Sequence, residues 1–154
     1  MINKIFPKQI DNNYTGHSLA KYVFVLITIV TIVRSCIHMF APDGGAQSIA
    51  TIPLNVFSHN AAETIILIFN LWGLSQAIVG IIYVIVIWRY QKLIPLMYLL
   101  MIVEYTFRML FMFLKPIHVT GHAPGHTGDY IMIPLAIIML IISLKMNKQA
   151  YFIA

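Results

Sequence analysis

Charged side chains within apolar segments are the residues of this chain best placed to do chemistry. Arg34, Glu104 and Arg108 lie inside such segments, and Glu63 lies at the start of another. Ionisable residues within a membrane span are costly and usually face the interior of a helix bundle. At about 1.5 Å per residue, Arg34, Arg108 and Glu104 lie roughly 9 to 16 Å from the same end of the bundle. Two arginines and two glutamates therefore predict a neutral polar cluster in one half of the bundle.

Polar neighbours extend this predicted cluster. Glu104 and Arg108 are four residues apart, as are Arg34 and His38, so each pair lies on one helix face. Tyr105 adjoins Glu104 and supplies a hydroxyl group. The candidate ligand-binding residues are Arg34, His38, Glu63, Asn70, Glu104, Tyr105 and Arg108.

Two interpretations of this cluster are open. In the first, the buried charges pair with one another and act as interhelical clamps, because hydrogen-bonded polar pairs help specify helix register in lipid. In the second, a polar cavity receives a carboxylate or an anionic headgroup on Arg34 and Arg108, and Glu63 or Glu104 exchanges protons. Both interpretations require the same residues to converge, so the sequence does not separate them.

Three histidines form an H-x3-H-x3-H pattern after the third apolar segment: His118, His122 and His126. The glycines and the proline between them argue against a continuous helix, so a loop is predicted. Such a loop would hold Zn or Cu on these histidines, aided by another histidine, Asp43 or Asp129. The alternative is a solvated loop whose histidines cap helices or bond carbonyl groups. The sequence favours this alternative, because nothing in it fixes a set of metal ligands.

The composition excludes a water-soluble domain. Of the 154 residues, 60% are hydrophobic and 10% are charged, and the mean hydropathy is +0.84, whereas about 25% of the residues of a soluble domain are charged. The formal charge of +5 reflects membrane topology, and no nucleic-acid partner is indicated. The single cysteine, Cys36, excludes an internal disulfide and a membrane thiol oxidoreductase with paired cysteines.

Four long apolar runs predict an all-α polytopic membrane protein whose 154 residues form one four-helix domain in the lipid bilayer. The predicted spans are 19–40, 61–88, 93–114 and about 130–146. Gly73, Ala77 and Gly80 form a stripe of small residues that predicts close packing against another helix. Gln76 and Ser75 are expected to hydrogen-bond across that contact or to a second protomer.

The distribution of basic residues predicts the orientation. Lysines and arginines precede the first span, separate the second from the third, and follow the fourth, whereas the other two connections contribute only Lys115. The positive-inside rule then puts both termini in the cytoplasm of a bacterium and the loops 41–60 and 115–129 outside the inner membrane. Within the first of these loops, an apolar stripe at residues 49–57 predicts a short amphipathic segment.

Two segments resemble known families. The stretch LIPLMY at 93–98, followed by Glu104, Arg108 and the pair Lys115-Pro116, resembles small bacterial four-helix integral membrane proteins. That resemblance implies a fold and no activity. The stretch HNAAE at 59–63 resembles part of the second helix of the MAPEG family of membrane glutathione transferases and eicosanoid enzymes, whose Asn-x-x-Glu element helps to bind glutathione.

Three classes of function follow from these observations. The first is a non-enzymatic inner-membrane protein, either an accessory subunit or a binder of a small anionic or lipid ligand at the periplasmic side. Its expected partners are further copies of itself in a homo-oligomer, or a larger membrane complex. The second is a MAPEG-like enzyme acting on an amphipathic substrate, with Glu63 or Glu104 as acid or base. The third is an oligomeric channel or carrier. The classes differ in whether the intramembrane charges pair completely or leave donors facing an open pocket.

Overall fold

The structure is a computed structural model that describes residues 2–145, and this part of the chain is all-helical. The helices are α1 (Ile2–Ile5), α2 (Ser18–Phe40), α3 (His59–Arg89), α4 (Ile94–Leu114) and α5 (Pro124–Leu144), with 3-10 turns at Leu54–Val56 and Gln91–Leu93. Helices α2 to α5 are long and apolar enough to cross a membrane. The predicted all-α fold with four membrane-spanning helices is therefore confirmed. The predicted end of the fourth span, Met146, lies outside the described residues.

Helix α5 begins at Pro124, so the prediction of a loop up to residue 129 is wrong. Proline suits the first turn of a helix, because its fixed φ is already helical and the missing N–H would have no partner there. Gly125 and Gly128 follow within the helix. Each glycine costs a helix about 1 kcal/mol relative to alanine, which weakens this turn without ending it. His126 and Asp129 consequently lie on a helix that is continuous with the fourth span.

The bundle is built from two antiparallel hairpins, in which α2 packs on α3 and α4 packs on α5. A Cβ atom placed on Gly73 would lie 2.8 Å from His38 Cβ, and one on Gly80 would lie 2.9 Å from Ile32 Cγ1. These glycines therefore let α3 approach α2 closely. Their predicted packing role is confirmed.

Aromatic side chains near the start of α2, the end of α3 and the start of α4 join the two hairpins. The ring of Phe24 lies 5.2 Å from the ring of Tyr83 and 5.8 Å from that of Tyr98. The Tyr98 hydroxyl donates a hydrogen bond of 2.6 Å to the Ala20 carbonyl, so its polar group is paired although the side chain is fully buried. Ala136 from α5 belongs to the same core, which therefore includes all four spanning helices.

The two ends of the bundle differ in structure. At the loop end, defined by residues 41–58 and 115–123, the Thr120 amide donates to the Thr51 carbonyl at 3.0 Å. At the terminal end, defined by residues 2–17 and 90–93, Lys92 Nζ lies 2.9 Å from Asp11 Oδ2. The predicted amphipathic segment at the loop end includes a single 3-10 turn that buries Leu54.

Asp43 organises the connection between α2 and α3. Its carboxylate accepts hydrogen bonds from the backbone amides of Gly45, Gln47 and Ser48, at 2.9, 3.0 and 2.6 Å. Gly44 and Gly45 adopt positive φ angles of 60° and 76°, which glycine tolerates without a steric cost. Burial raises the pKa of Asp43, but the hydrogen bonds from Ser48, Gly45 and Gln47 outweigh it and hold the pKa below its ordinary value.

This lowered pKa predicts an acid-sensitive contribution to stability. The contribution of Asp43 is complete above its ordinary pKa of 3.8 and is lost as the pH falls through the lower pKa of the folded state. Asp43→Asn should therefore reduce the difference in thermal midpoint between pH 6 and pH 3. The measurement is a thermal melt of both proteins in detergent across this range. If the wild type and the variant lost stability equally on acidification, the assignment would be wrong.

Candidate functional site

Five polar side chains connect the four spanning helices, and we call them the polar bridge. They are Arg34 on α2, Gln76 on α3, Glu104 and Arg108 on α4, and Asp129 on α5. Arg34 Nη2 donates to Gln76 Oε1 at 2.9 Å, and Gln76 Nε2 donates to Glu104 Oε1 at 2.9 Å. The amide of Gln76 therefore carries the contact between an arginine on one hairpin and a glutamate on the other.

The second half of the polar bridge is an ionic contact within the α4–α5 hairpin. Arg108 Nη1 lies 3.7 Å from Glu104 Oε1, and Arg108 Nη2 lies 3.0 Å from Asp129 Oδ1. The Asp129 side chain is only 3% exposed, whereas those of Arg108 and Glu104 are 21% and 29% exposed. With both carboxylates ionised, the two positive and two negative charges of the bridge sum to zero. The buried carboxylate of Asp129 is therefore compensated by its neighbours.

Trp72 lies beside both arginines of the bridge. Its ring centre is 5.5 Å from Arg34 Cζ and 5.2 Å from Arg108 Cζ. Arg108 Cζ also lies 5.1 Å from the ring of Tyr105, which is buried. Guanidinium groups are attracted to the faces of aromatic rings at these distances, and more strongly where water is excluded. These contacts help to fix the positions of the two cations.

Glu63 does not join the cluster, so its predicted place there is wrong. It lies in the early turns of α3, where Oε1 is 3.2 Å from His59 Nε2, and both side chains are mostly exposed. Near the end of a helix a glutamate remains in water and needs no buried partner. The carboxylate that completes the cluster is Asp129. The stretch that resembles the MAPEG element is therefore separate from the polar bridge.

His38 and Asn70 lie in the contact between α2 and α3. The buried His38 ring has Nδ1 2.7 Å from the Gly44 carbonyl oxygen, and its centre is 4.6 Å from that of Trp72. The Asn70 amide, with its nitrogen turned toward the carbonyl, donates to the His38 backbone oxygen at 2.8 Å. His38 thus connects α2 to the loop end, Asn70 connects α3 to α2, and neither hydrogen-bonds to a charged group of the bridge.

Sequence reasoning missed two members of the polar bridge as cluster residues. The glycines around Asp129 predict a loop there, although the preference of proline for the first turn of a helix would put it on α5. Gln76 is predicted to hydrogen-bond across the stripe of small residues or to a second protomer, but its partners Arg34 and Glu104 are not predicted. Its position three residues after Gly73 is the available signal, because this spacing puts both residues on the face of α3 that meets α2.

The space beside the bridge is a narrow crevice. It is lined by Ile27, Thr31, Gln76, Val79, Tyr83, Met101, Glu104 and Tyr105, and it is too narrow to admit a water molecule. Three buried atoms of the bridge have no hydrogen-bond partner among residues 2–145: the donors Arg34 Nε and Arg108 Nη1, and the acceptor Asp129 Oδ1, which lies 3.0 Å from Arg108 Nη2 as an ionic contact. The charges of the bridge thus pair with one another, but three of its buried polar atoms make no hydrogen bond.

The three histidines predicted as metal ligands have different surroundings. His122 Nε2 lies 3.2 Å from Thr127 Oγ1, and His126 is on α5 with its ring 5.9 Å from that of Tyr130. His118 is exposed in the preceding loop. Within the described part of the chain, no three histidine, cysteine, aspartate or glutamate side chains lie close enough to hold a metal ion. The geometry gives no support to a Zn or Cu site there.

The polar bridge is thus the candidate site with the most extensive geometry: its charges balance, it contacts all four spanning helices, and two aromatic rings flank it. Comparisons of the chain with models of protein families, with curated proteins and with solved structures found no match.

Proposed function

We propose that this chain is a non-enzymatic protein of the bacterial inner membrane that acts as an accessory subunit of a larger membrane complex, with a homo-oligomer as the alternative assembly. The polar bridge carries this proposal. Its charged side chains pair with one another. Gln76 hydrogen-bonds to both Arg34 and Glu104, and Arg108 contacts the carboxylates of Glu104 and Asp129. A catalytic acid or base needs access to substrate, and the crevice on the side of Glu104 that faces Gln76 and Tyr105 has no room for a water molecule.

In this proposal the polar bridge holds the loop-end half of the bundle together. Lipid provides no hydrophobic driving force between helices, so small-residue contacts and interhelical hydrogen bonds carry the association. Gly73 and Gly80 supply the first kind of contact between α2 and α3, and Gln76 supplies the second kind toward α4. A rigid bundle then presents fixed loops and lipid-facing surfaces to a membrane partner.

The proposed orientation has both termini in the cytoplasm and the loop end in the periplasm. Lys4, Lys8, Arg89 and Lys92 all belong to the terminal end or adjoin it. At the loop end, residues 41–58 contain no lysine or arginine, and residues 115–123 contain only Lys115. The positive-inside rule relates this asymmetry to a cytoplasmic terminal end.

Arg34→Met tests the structural role of the bridge. The variant leaves Gln76 without its donor, and we expect the free energy of unfolding to fall by about 1 to 3 kcal/mol. The matched control is Lys21→Met, which removes one positive charge from the same helix outside the bridge. Thermal melts in detergent measure stability, and native mass spectrometry of the same samples measures retained ligands.

The proposal requires that Arg34→Met be less stable than Lys21→Met and that neither variant differ from the wild type in any retained small molecule. A stoichiometric anion held by the wild type and lost by a folded Arg34→Met protein would contradict it. That result would identify the bridge as a ligand site.

One observation favours such a ligand site as a second candidate function. Arg34 Nε and Arg108 Nη1 are donors without hydrogen-bond partners in the described residues, and both guanidinium groups lie near the Trp72 ring. A carboxylate or a phosphate of a small anionic or lipid ligand would satisfy both donors. The crevice is too narrow for such a ligand, so the side chains would have to separate before it enters.

A further inference from the structure

A cleft at the terminal end combines a cation, aromatic side chains and an apolar wall. It has a volume of about 390 Å³ and is lined by Ile10, Asp11, Asn12, Trp88, Arg89 and Tyr90. It lies where α3 ends, so its mouth is at the level at which a spanning helix leaves the lipid. This is the depth of phospholipid headgroups.

The charge of this cleft is positive. Arg89 is the last residue of α3, is exposed, and has no acidic partner within 4 Å among residues 2–145. Asp11 also lines the cleft, but its Oδ2 atom is 2.9 Å from Lys92 Nζ. That hydrogen bond and the one from the Asn13 amide hold the pKa of Asp11 below its ordinary value, so its charge is compensated by Lys92 at neutral pH.

The apolar and aromatic residues suit the rest of a lipid. Trp88 is 74% exposed and Ile10 is 53% exposed, and both line the cleft. Tryptophan and tyrosine are enriched where the hydrocarbon meets the headgroups, because each has an apolar ring and one polar group. Trp88 and Ile10 can therefore contact the first carbons of an acyl chain while Arg89 contacts the phosphate.

We propose that this cleft binds one anionic phospholipid, with its phosphate on Arg89 and its glycerol backbone beside Trp88 and Tyr90. An arginine at a negatively charged membrane surface contributes about 1 kcal/mol to attraction, which corresponds to about fivefold in affinity. This site lies at the opposite end of the bundle from the polar bridge and does not depend on the function proposed for the bridge.

Lipid titration followed by native mass spectrometry tests this inference on the full chain in detergent. The probes are phosphatidylglycerol and phosphatidylcholine with identical acyl chains. Both lipids carry the phosphodiester, but the trimethylammonium group of phosphatidylcholine offsets its negative charge beside Arg89. We therefore expect the wild type to retain one phosphatidylglycerol about fivefold more tightly than phosphatidylcholine. Arg89→Gln should remove that preference, Arg89→Lys should keep most of it, and Trp88→Ala should weaken both lipids. The matched control is Lys115→Gln, an exposed cation at the loop end, which should behave as the wild type.

Three outcomes would overturn the inference. The first is equal binding of the two lipids by the wild type, and the second is an unchanged preference in Arg89→Gln. The third is complete displacement of phosphatidylglycerol by millimolar inorganic phosphate, which would indicate a site for free phosphate. Because Arg89 is exposed, the thermal midpoint of Arg89→Gln without added lipid should match the wild type. The Arg34→Met variant should keep the lipid preference, so failure here is distinguishable from failure of the proposed function.

Discussion

Arg108→Met is expected to lower the free energy of unfolding by about 3 to 5 kcal/mol, because it leaves the carboxylate of Asp129 buried without its ionic partner. Asp129 is 2% exposed, and Arg108 Nη2 at 3.0 Å is its partner in the described structure. The Arg108 guanidinium also contacts Trp72 and Tyr105, so its removal loses packing as well as charge. Equilibrium unfolding in mixed micelles, followed by circular dichroism, measures the change.

Lys115→Met is the matched control for this prediction. It removes one positive charge just beyond the end of the same helix, at an exposed position without an ion pair among residues 2–145. A surface substitution of this kind is expected to change stability by less than about 0.5 kcal/mol. Equal stability of Arg108→Met and Lys115→Met would show that the ionic contact to Asp129 contributes nothing to the fold.

Gly73→Ala is expected to destabilise the bundle by about 1 to 3 kcal/mol, the cost of adding a methyl group to a closely packed contact. The new Cβ atom would lie 2.8 Å from His38 Cβ and 3.0 Å from the backbone nitrogen of Met39. Backbone atoms of α2 do not move aside without moving the helix, so α2 and α3 must separate. The measurement is the shift of the thermal midpoint in detergent.

Gly128→Ala is the control with the same chemical change. Nothing lies within 4 Å of a Cβ atom at Gly128, and alanine favours a helix over glycine by about 0.5 to 1 kcal/mol. This variant should therefore be at least as stable as the wild type. Gly80→Ala should lie between the two, because its nearest contact is a side-chain atom, Ile32 Cγ1 at 2.9 Å, whereas Gly73 also meets backbone atoms of α2 at 3.0 Å. A Gly73→Ala protein as stable as Gly128→Ala would refute close packing of α2 on α3.

The positions of the first three spans could be predicted because apolar runs, prolines and polar ends all mark the same boundaries. Helices α2, α3 and α4 begin and end within a few residues of the predicted spans. The start of α5 could not be placed correctly by treating glycine as a helix breaker. Pro124 begins the helix, and the long apolar run after Asp129 stabilises the weak first turns.

The sequence predicts three of the four charged members of the polar bridge correctly, and its fourth predicted member, Glu63, is wrong. Arg34, Glu104 and Arg108 lie together, because buried charges at similar depths must find partners. The Glu63 side chain is mostly exposed near the start of α3, so its charge needs no partner inside the bundle. Depth along a helix is readable from sequence, whereas the direction of a side chain around the helix depends on how neighbouring helices pack. This is why Gln76 and Asp129 emerge as members of the bridge only from the packed bundle.

The coupling free energy between Arg108 and Asp129 is the most direct test of the structural role of the polar bridge. A double-mutant cycle compares the wild type, Arg108→Met, Asp129→Asn and the double variant by equilibrium unfolding. We predict a coupling above about 1.5 kcal/mol and a double variant more stable than Arg108→Met, because removal of both charges leaves no buried carboxylate unpaired. Additive effects, with a coupling free energy below about 0.5 kcal/mol, would contradict the structural role of the polar bridge.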